Sequence, residues 1–509
     1  MKILITSDNH LGFKERDPIL SNDSFDTFEE ILITANIRDV DIILQGGDLY
    51  HDNRPSRSCI SKSIALFKKY CTGNKAMKFK CSGKLNYDDP NLNISIPVLS
   101  IHGNHDDPSG IFTTSPMHIL ESTNLVNYLG KIPSIEQIDL HPIIFEMDNQ
   151  RIAIYALGHV KDRRLYKLFV DSKVNFIKPK ENCFSILMVH QNRREYTPKD
   201  YLPYEFLPNW FDLVIYGHEH ESVIVKYNSF VLLQSGSTVR TSLSEKEVFD
   251  KFIYLLDTKE GTLERIELKS TRKLFIGSLD NVEFEEEVVD KINNMLKYNK
   301  DNIKNKFYEE DTFKNIFNQK MFNIEDTLIN TEEIMSEYQM NNNCNEIILI
   351  NENNKRFKNS LIDRLNDLQN KILLPMVRLK VSLKNIYNIN KVKIQLQYKD
   401  KVANYNEILL IKRIKNKIQN NEIIEEKVEL SNILRGNLKF KALNEDEFIT
   451  ALNNFVEKND KNAFTVFINQ SVDKLVNKIV KKNYSDFNKI LSEVKYEIMI
   501  EEKLSKGSI

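Results

Sequence analysis

All ten histidines fall between His10 and His220, and the residues after His220 contain none. Seven nitrogen or oxygen donors stand out in that stretch: Asp8, His10, Asp48, Asn104, His190, His218 and His220. None of them brings sulfur. The set is too large for one tetrahedral zinc and suits two divalent ions sharing a bridging carboxylate, for which Asp48 is the natural bridge. Two ions about 3.5–4 Å apart can lower the pKa of a bridging water and clamp both oxygens of an in-line phosphoryl displacement. The chemistry implied is phosphoester hydrolysis. Mn²⁺ and Fe²⁺ both suit such donors, and the affinity order alone selects neither.

The donors need elements to hold them. Short apolar runs at Ile3–Ile5, Asp41–Leu44, Ile96–Ile101, Ile152–Leu157, Phe184–Val189, Leu213–Tyr216 and Val231–Leu233 read as strands, several of them buried on both faces. Asp23–Ile37 and Ser56–Tyr70 read as helices between them. Five strands end in a polar cluster: Asp8-Asn9-His10, Gly46-Gly47-Asp48 with His51, Gly103-Asn104-His105-Asp106, His190, and Gly217-His218-Glu219-His220. Ligands of open sheets gather beyond the carboxyl ends of strands, so five loops can converge on one pocket. Asp8 with His10, and His218 with His220, sit two residues apart, a spacing that in extended backbone points both side chains the same way. A lone histidine after a strand is usually an ordinary hydrogen-bonded residue; five clusters in order are not.

Composition bounds the rest. At 509 residues with 41% hydrophobic content, the chain is long enough for two to four cored domains. Lys+Arg total 71 against 72 Asp+Glu, for a formal charge of -1, which excludes a uniformly basic nucleic-acid coat. No apolar run approaches the roughly 18 residues of a bilayer span, so no membrane is expected, and Met1–Ser7 lacks a signal peptide's apolar region. Five cysteines without a CxxC pair read as reduced thiols. Glycine and proline concentrate before residue 277, so the first half is loop-rich, while the second reads as long helices with a few strands.

The clusters resemble the calcineurin-like metallophosphoesterases. The text around them, SDNHLGF, GGDLYHDNRPSR, NLNISIPVLSIHGNHDDPSG, ALGHVKDRRLYKLFV, VHQNR and FDLVIYGHEHE, is similar to the eukaryotic meiotic recombination eleven nuclease family. The likeness is dense over residues 1–245 and returns at Leu374–Val381 and Lys401–Leu409, which look like pieces of the family's capping domain. One departure is Ser235, where the family tends to carry proline.

The resemblance implies an α/β fold: a four-layer calcineurin-like β-sandwich flanked by helices, then an α+β capping domain and a C-terminal helical region. The boundaries expected are 1–270 for the nuclease domain, 271–420 for the DNA-guiding cap and 421–509 for a helical region gripping an ATPase. It further implies that Asp8, His10, Asp48 and His220 hold one Mn²⁺ while Asp48, Asn104, His190 and His218 hold another. His105 would act at the departing oxygen, His51 near the substrate phosphate, and Asp106 would orient His105. Arg193 and Arg194, beside a ligand, are candidates for DNA contact, as is the basic run Lys412–Lys417, which reads equally well as a solvated face. Implied partners are DNA, an SMC-like ABC ATPase of the Rad-fifty family, an adaptor subunit and a second copy of the chain; the implied location is the nucleus.

Apolar stripes at Phe448–Phe455, Phe464–Ile479 and Phe487–Ile498 fit either mutual packing or the ATPase. Ile60, Ile64 and Phe67, with Pro116–Leu125, fit either core or homodimer. The function expected is a Mn²⁺-dependent DNA nuclease, 3′–5′ exonuclease and single-strand endonuclease, in double-strand break repair. The alternatives are a phosphomonoesterase or protein phosphatase on the same scaffold, and a non-catalytic scaffold for the ATPase.

Overall fold

The computed structural model describes residues 1–108, 114–132, 136–227, 229–282, 284–297, 344–383 and 389–413, with Thr450 and Phe467. Residues Met1–Lys415 form one compact unit and Asn416–Ile509 a second. Apart from Thr450 and Phe467, the expected C-terminal stripes lie outside the described residues, as does most of the basic run from Lys412.

Two sheets face each other. The first runs Thr262–Glu267, Phe252–Asp257, Lys2–Thr6, Ile42–Gln45, Val98–Ser100, Asn127–Tyr128 in spatial order. The second runs Val223–Lys226, Val231–Gln234, Leu213–Gly217, Phe184–His190, Gln150–Leu157, Ile143–Met147, Lys80–Cys81. The central pairs of both are parallel. Side chains alternate across a strand, and that alternation builds the layers. Ile3, Ile5, Ile42 and Leu44 meet Ile154, Ile186, Met188 and Ile215 between the sheets. Leu4 and Ile43 face Phe28, Ile31, Phe67 and Tyr70 of the helices Asp23–Ile37 and Arg57–Cys71. On the far side Tyr155, Leu187 and Tyr216 pack with Leu165, Leu168 and Phe211. Replacing any of these by alanine costs about 2–5 kcal/mol. The expected strands and both helices are present to within two residues at each end.

A third sheet joins Leu274–Val282, Met376–Leu383 and Leu409–Arg413, all parallel. The helix Cys344–Asn370 packs against Asp23–Ile37. Its Leu361 and Leu368 are buried in the cluster of the first two helices, and Arg364 Nη2 is 2.6 Å from Glu29 Oε2. The layered body is therefore completed from beyond residue 270. Arg272 fastens the crossing point: its guanidinium donates to Asp23, to the Ile19 carbonyl at 2.9 Å and to the Leu374 carbonyl at 3.0 Å.

Candidate metal centre

The parallel strands deliver their carboxyl ends to one edge of the sandwich, and the seven donors meet there. They fall into two groups. Asp8 Oδ1 lies 4.0 Å from His10 Nε2 and 3.8 Å from His220 Nε2, and the two Nε2 atoms face each other at 3.1 Å. Asp48 Oδ2 lies 3.3 Å from His190 Nε2, while Asn104 Oδ1 is 3.3 Å from His190 Nε2 and 2.7 Å from His218 Nδ1. His51 and His105 flank the first group: their rings stack at 5.0 Å, and each lies about one ring away from His10, at 5.3 and 4.9 Å.

The backbone that achieves this is not extended, as the two-residue spacing suggested. Asp8, His10, Asp48 and His218 have φ of 51°, 46°, 52° and 87°. Left-handed non-glycine residues cost of order 1–3 kcal/mol each and cluster at functional sites. The chain curls at each strand end, and the curl rather than a pleat turns both members of a pair inward. Two glycines leave room: a Cβ on Gly103 would collide with the Asp48 carboxylate, and one on Gly47 (φ 98°) with the His190 ring.

Burial sets the electrostatics. Asp8 is pushed up by burial against the pull of His190 and His220. Burial would raise Asp48 too, but His190 holds it far below the usual carboxylate range. Burial disfavours a charged His190, yet Asp48 overrides it and pushes the ring up to about 10. Burial lowers His10 well below its ordinary value and takes His218 down to about 3 with help from His190. The pocket thus sets two carboxylates against one imidazolium, His190, among several neutral rings, and calls for further positive charge.

The donor set fits divalent cations. His190 Nδ1 gives its proton to the Gly46 carbonyl at 2.8 Å, and His220 Nδ1 gives its own to Glu247 Oε1 at 2.8 Å. Each ring therefore turns its Nε2 toward the pocket, where a ligated cation would take the place of the second proton that Asp48 stabilises on His190.

One sequence expectation is corrected. Asp106 does not orient His105. Its carboxylate is fully buried and accepts the N–H groups of Gly103 at 2.7 Å and Tyr50 at 3.1 Å, and burial beside Asp48 pushes it up to about 7. The His51 carbonyl does the orienting, accepting from His105 Nδ1 at 2.6 Å. Arg193 Nε donates to the buried Gln234 at 2.8 Å, which turns the guanidinium inward. Arg194 is exposed and lies 3.1 Å from Glu221.

Glu247 went unnoticed in the sequence. It is buried, bonded to His220 on one oxygen and to the buried Lys251 ammonium on the other, and those partners hold it far below the usual carboxylate range against its burial. Arg240 Nε clasps its carbonyl at 2.7 Å, and Arg240 Nη1 reaches the Arg272 carbonyl. His159 was likewise missed; its Nδ1 donates to the His190 carbonyl at 3.1 Å. Neither residue sits in a spacing pattern with the ligands.

A family model for calcineurin-like phosphoesterases matches residues 1–222, the stretch that supplies all seven donors. A second, the Mre11 DNA-binding presumed domain, matches residues 320–479. The double-strand break repair protein MRE11 of Encephalitozoon cuniculi is 41% identical over 94% of this chain and 81% of its own length. The Arabidopsis thaliana protein of that name is 31% identical over 94% of this chain and 65% of its own length. The Homo sapiens protein is 40% identical over 54% of this chain, which spans only 42% of it. Identity of this depth, running from the pocket through to the far end of the chain, makes the protein a member of the MRE11 family.

Proposed function

We propose that the pocket is a two-metal nuclease centre that hydrolyses phosphodiester bonds of DNA in double-strand break repair. The observation that carries the reading is the pair of donor groups, each with a carboxylate and at least two imidazole nitrogens, set side by side. Asp8, His10, Asp48 and His220 would hold one ion and Asp48, Asn104, His190 and His218 the other, with Mn²⁺ as the physiological occupant. Bound there, such ions supply Lewis acidity and make water nucleophilic at neutral pH.

The chain's own residues do the rest. Asp48 would bridge the two ions: Oδ2 faces His190 at 3.3 Å, while the backbone N–H of His105 donates to Oδ1 at 2.8 Å and fixes the carboxylate. The His51 carbonyl fixes the proton of His105 on Nδ1, so Nε2 is the end that exchanges protons with the substrate. Protonated, it gives a proton to the departing oxygen. His51, stacked on it, completes the wall beside the scissile phosphate.

Further parts of the reading rest on the family resemblance of the sequence. Digestion would be 3′–5′ on duplex ends and endonucleolytic on single strands. Residues 1–270, 271–420 and 421–509 would serve as nuclease, DNA-guiding cap and grip for an SMC-like ABC ATPase, in a homodimeric nuclear complex with an adaptor. Arg194 and the run from Lys412 would contact phosphates.

The test is a Mn²⁺ titration coupled to cleavage of a blunt duplex, with a small phosphomonoester in parallel. Duplex cleavage rising as two ions bind, and lost in Asp48→Ala, is expected. Turnover of the monoester alone would point to a phosphatase instead, and retained duplex cleavage in Asp48→Ala would overturn the reading.

A further inference from the structure

The end of the second sheet opposite the metal centre carries a cavity of about 450 Å³. It lies where Gln150–Leu157, Phe184–His190 and Leu213–Gly217 begin. These three strands are parallel, so about seven residues of rise put it roughly 20 Å from the donors at their other ends. The loop before the middle strand supplies Lys178, Lys180 and Asn182, and the turn before the third supplies Trp210.

The chemistry of this lining is specific. Lys178 and Lys180 are exposed and, among the described residues, neither makes an ion pair or hydrogen bond. The same is true of the Asn182 amide. Arg151, on the rim, is already committed to Glu146 at 2.6 Å and to Glu181. The lining sets Arg151, Lys178 and Lys180 against Glu181 and Asp212, and with Glu181 paired to Arg151 and Asp212 accepting the Ser185 N–H the two lysines leave it suited to an anion. Trp210 is held from beneath by the buried Phe211 and Tyr155, with ring centroids at 4.3 and 5.5 Å, while its ring also lines the cavity. A braced indole beside two unpaired ammonium groups offers a stacking surface and a phosphate seat together. The volume lies in the range of small-molecule sites.

We infer that this cavity binds a nucleoside phosphate, with its base on Trp210 and its phosphates at Lys178 and Lys180. The site is separate from the metal centre and does not rest on the reading of that centre. The ligand could be a free nucleotide or the terminal nucleotide of a single strand; the recognising chemistry is shared.

Trp210 is the chain's single tryptophan, so its fluorescence reports on this site. The full-length protein would be titrated with ADP, adenosine and pyrophosphate in EDTA, which removes the metal centre's own affinity for phosphates. Saturable quenching by ADP is expected, at least tenfold tighter than by adenosine or pyrophosphate. Lys178→Glu combined with Lys180→Glu should weaken ADP at least tenfold, by fluorescence and by calorimetry. Both lysines are exposed, so the fold tolerates the change, and unchanged circular dichroism would verify it. Asp48→Asn should leave ADP affinity intact. Displacement of ADP by a 5′-phosphorylated oligothymidylate would assign the site to strand ends, and its absence to free nucleotides. No quenching at millimolar ADP, equal affinity in the double charge reversal, pyrophosphate binding as tightly as ADP, or loss of binding in Asp48→Asn would each overturn the inference.

Discussion

Glu247 Oε1 lies 2.8 Å from His220 Nδ1, behind a ring whose Nε2 faces the pocket. The carboxylate fixes which nitrogen carries the proton and increases the basicity of the other. Removing such partners typically costs 10–100-fold in metal affinity. Glu247→Gln keeps the shape and loses the charge. Its Mn²⁺ affinity, measured by calorimetry, should fall by about that factor, and affinity equal to the parent chain would refute the role. Glu247→Ala should additionally destabilise the metal-free protein by about 3–5 kcal/mol in denaturant unfolding, since it strands Lys251 as a buried charge.

His105 touches the pocket through its ring and is not one of the proposed ligands. His105→Asn should lower the cleavage rate by about 10²–10⁴-fold while leaving the number of bound ions and the unfolding midpoint unchanged. A parallel loss of metal binding would show that the ring acts as a ligand instead.

Gly103 has no space for a side chain, because a Cβ there would overlap the Asp48 carboxylate and crowd its backbone nitrogen. Gly103→Ala should displace Asp48 and abolish tight Mn²⁺ binding, with a stability loss of about 1–3 kcal/mol from overpacking. Full metal stoichiometry in that variant would contradict the packing described.

Glu29 joins the helix Asp23–Ile37 to Arg364 of the helix Cys344–Asn370. Burial would raise this carboxyl, but Arg364, Tyr70 and Lys69 override it and bring it down to about 2. A depressed carboxylate contributes stability that is present above its unfolded value of 4.5 and is lost as pH falls through about 2. Glu29→Gln should therefore destabilise by about 1–3 kcal/mol at pH 7. The gap to the parent chain should close between pH 4.5 and 2. A gap independent of pH over that window would show that shape, not charge, holds the two helices.

The sandwich was legible because Ile3, Leu4 and Ile5 are apolar in succession, which only a strand covered on both faces allows. The candidate ligands were legible because each follows such a run. What the sequence concealed is direction. Asp106 is next to His105 in the chain, yet its side chain turns back to the amides of Gly103 and Tyr50. Arg193 and Arg194 are neighbours with opposite fates, one drawn inward by Gln234 and the other left outside. Glu247 reaches His220 from 27 positions away in the chain. Such partners belong to the tertiary arrangement and leave no periodic trace.

Arg240 spans from the Glu247 carbonyl to the Arg272 carbonyl, and Arg272 is itself anchored to Asp23 and Leu374. The first strand of the third sheet starts two residues later. Any swing of that sheet would have to pivot on backbone wired, through two arginines and one carboxylate, to the imidazole of His220. Displacement of the sheet would thus be felt, through hydrogen bonds alone, by the side chain that backs a candidate metal ligand.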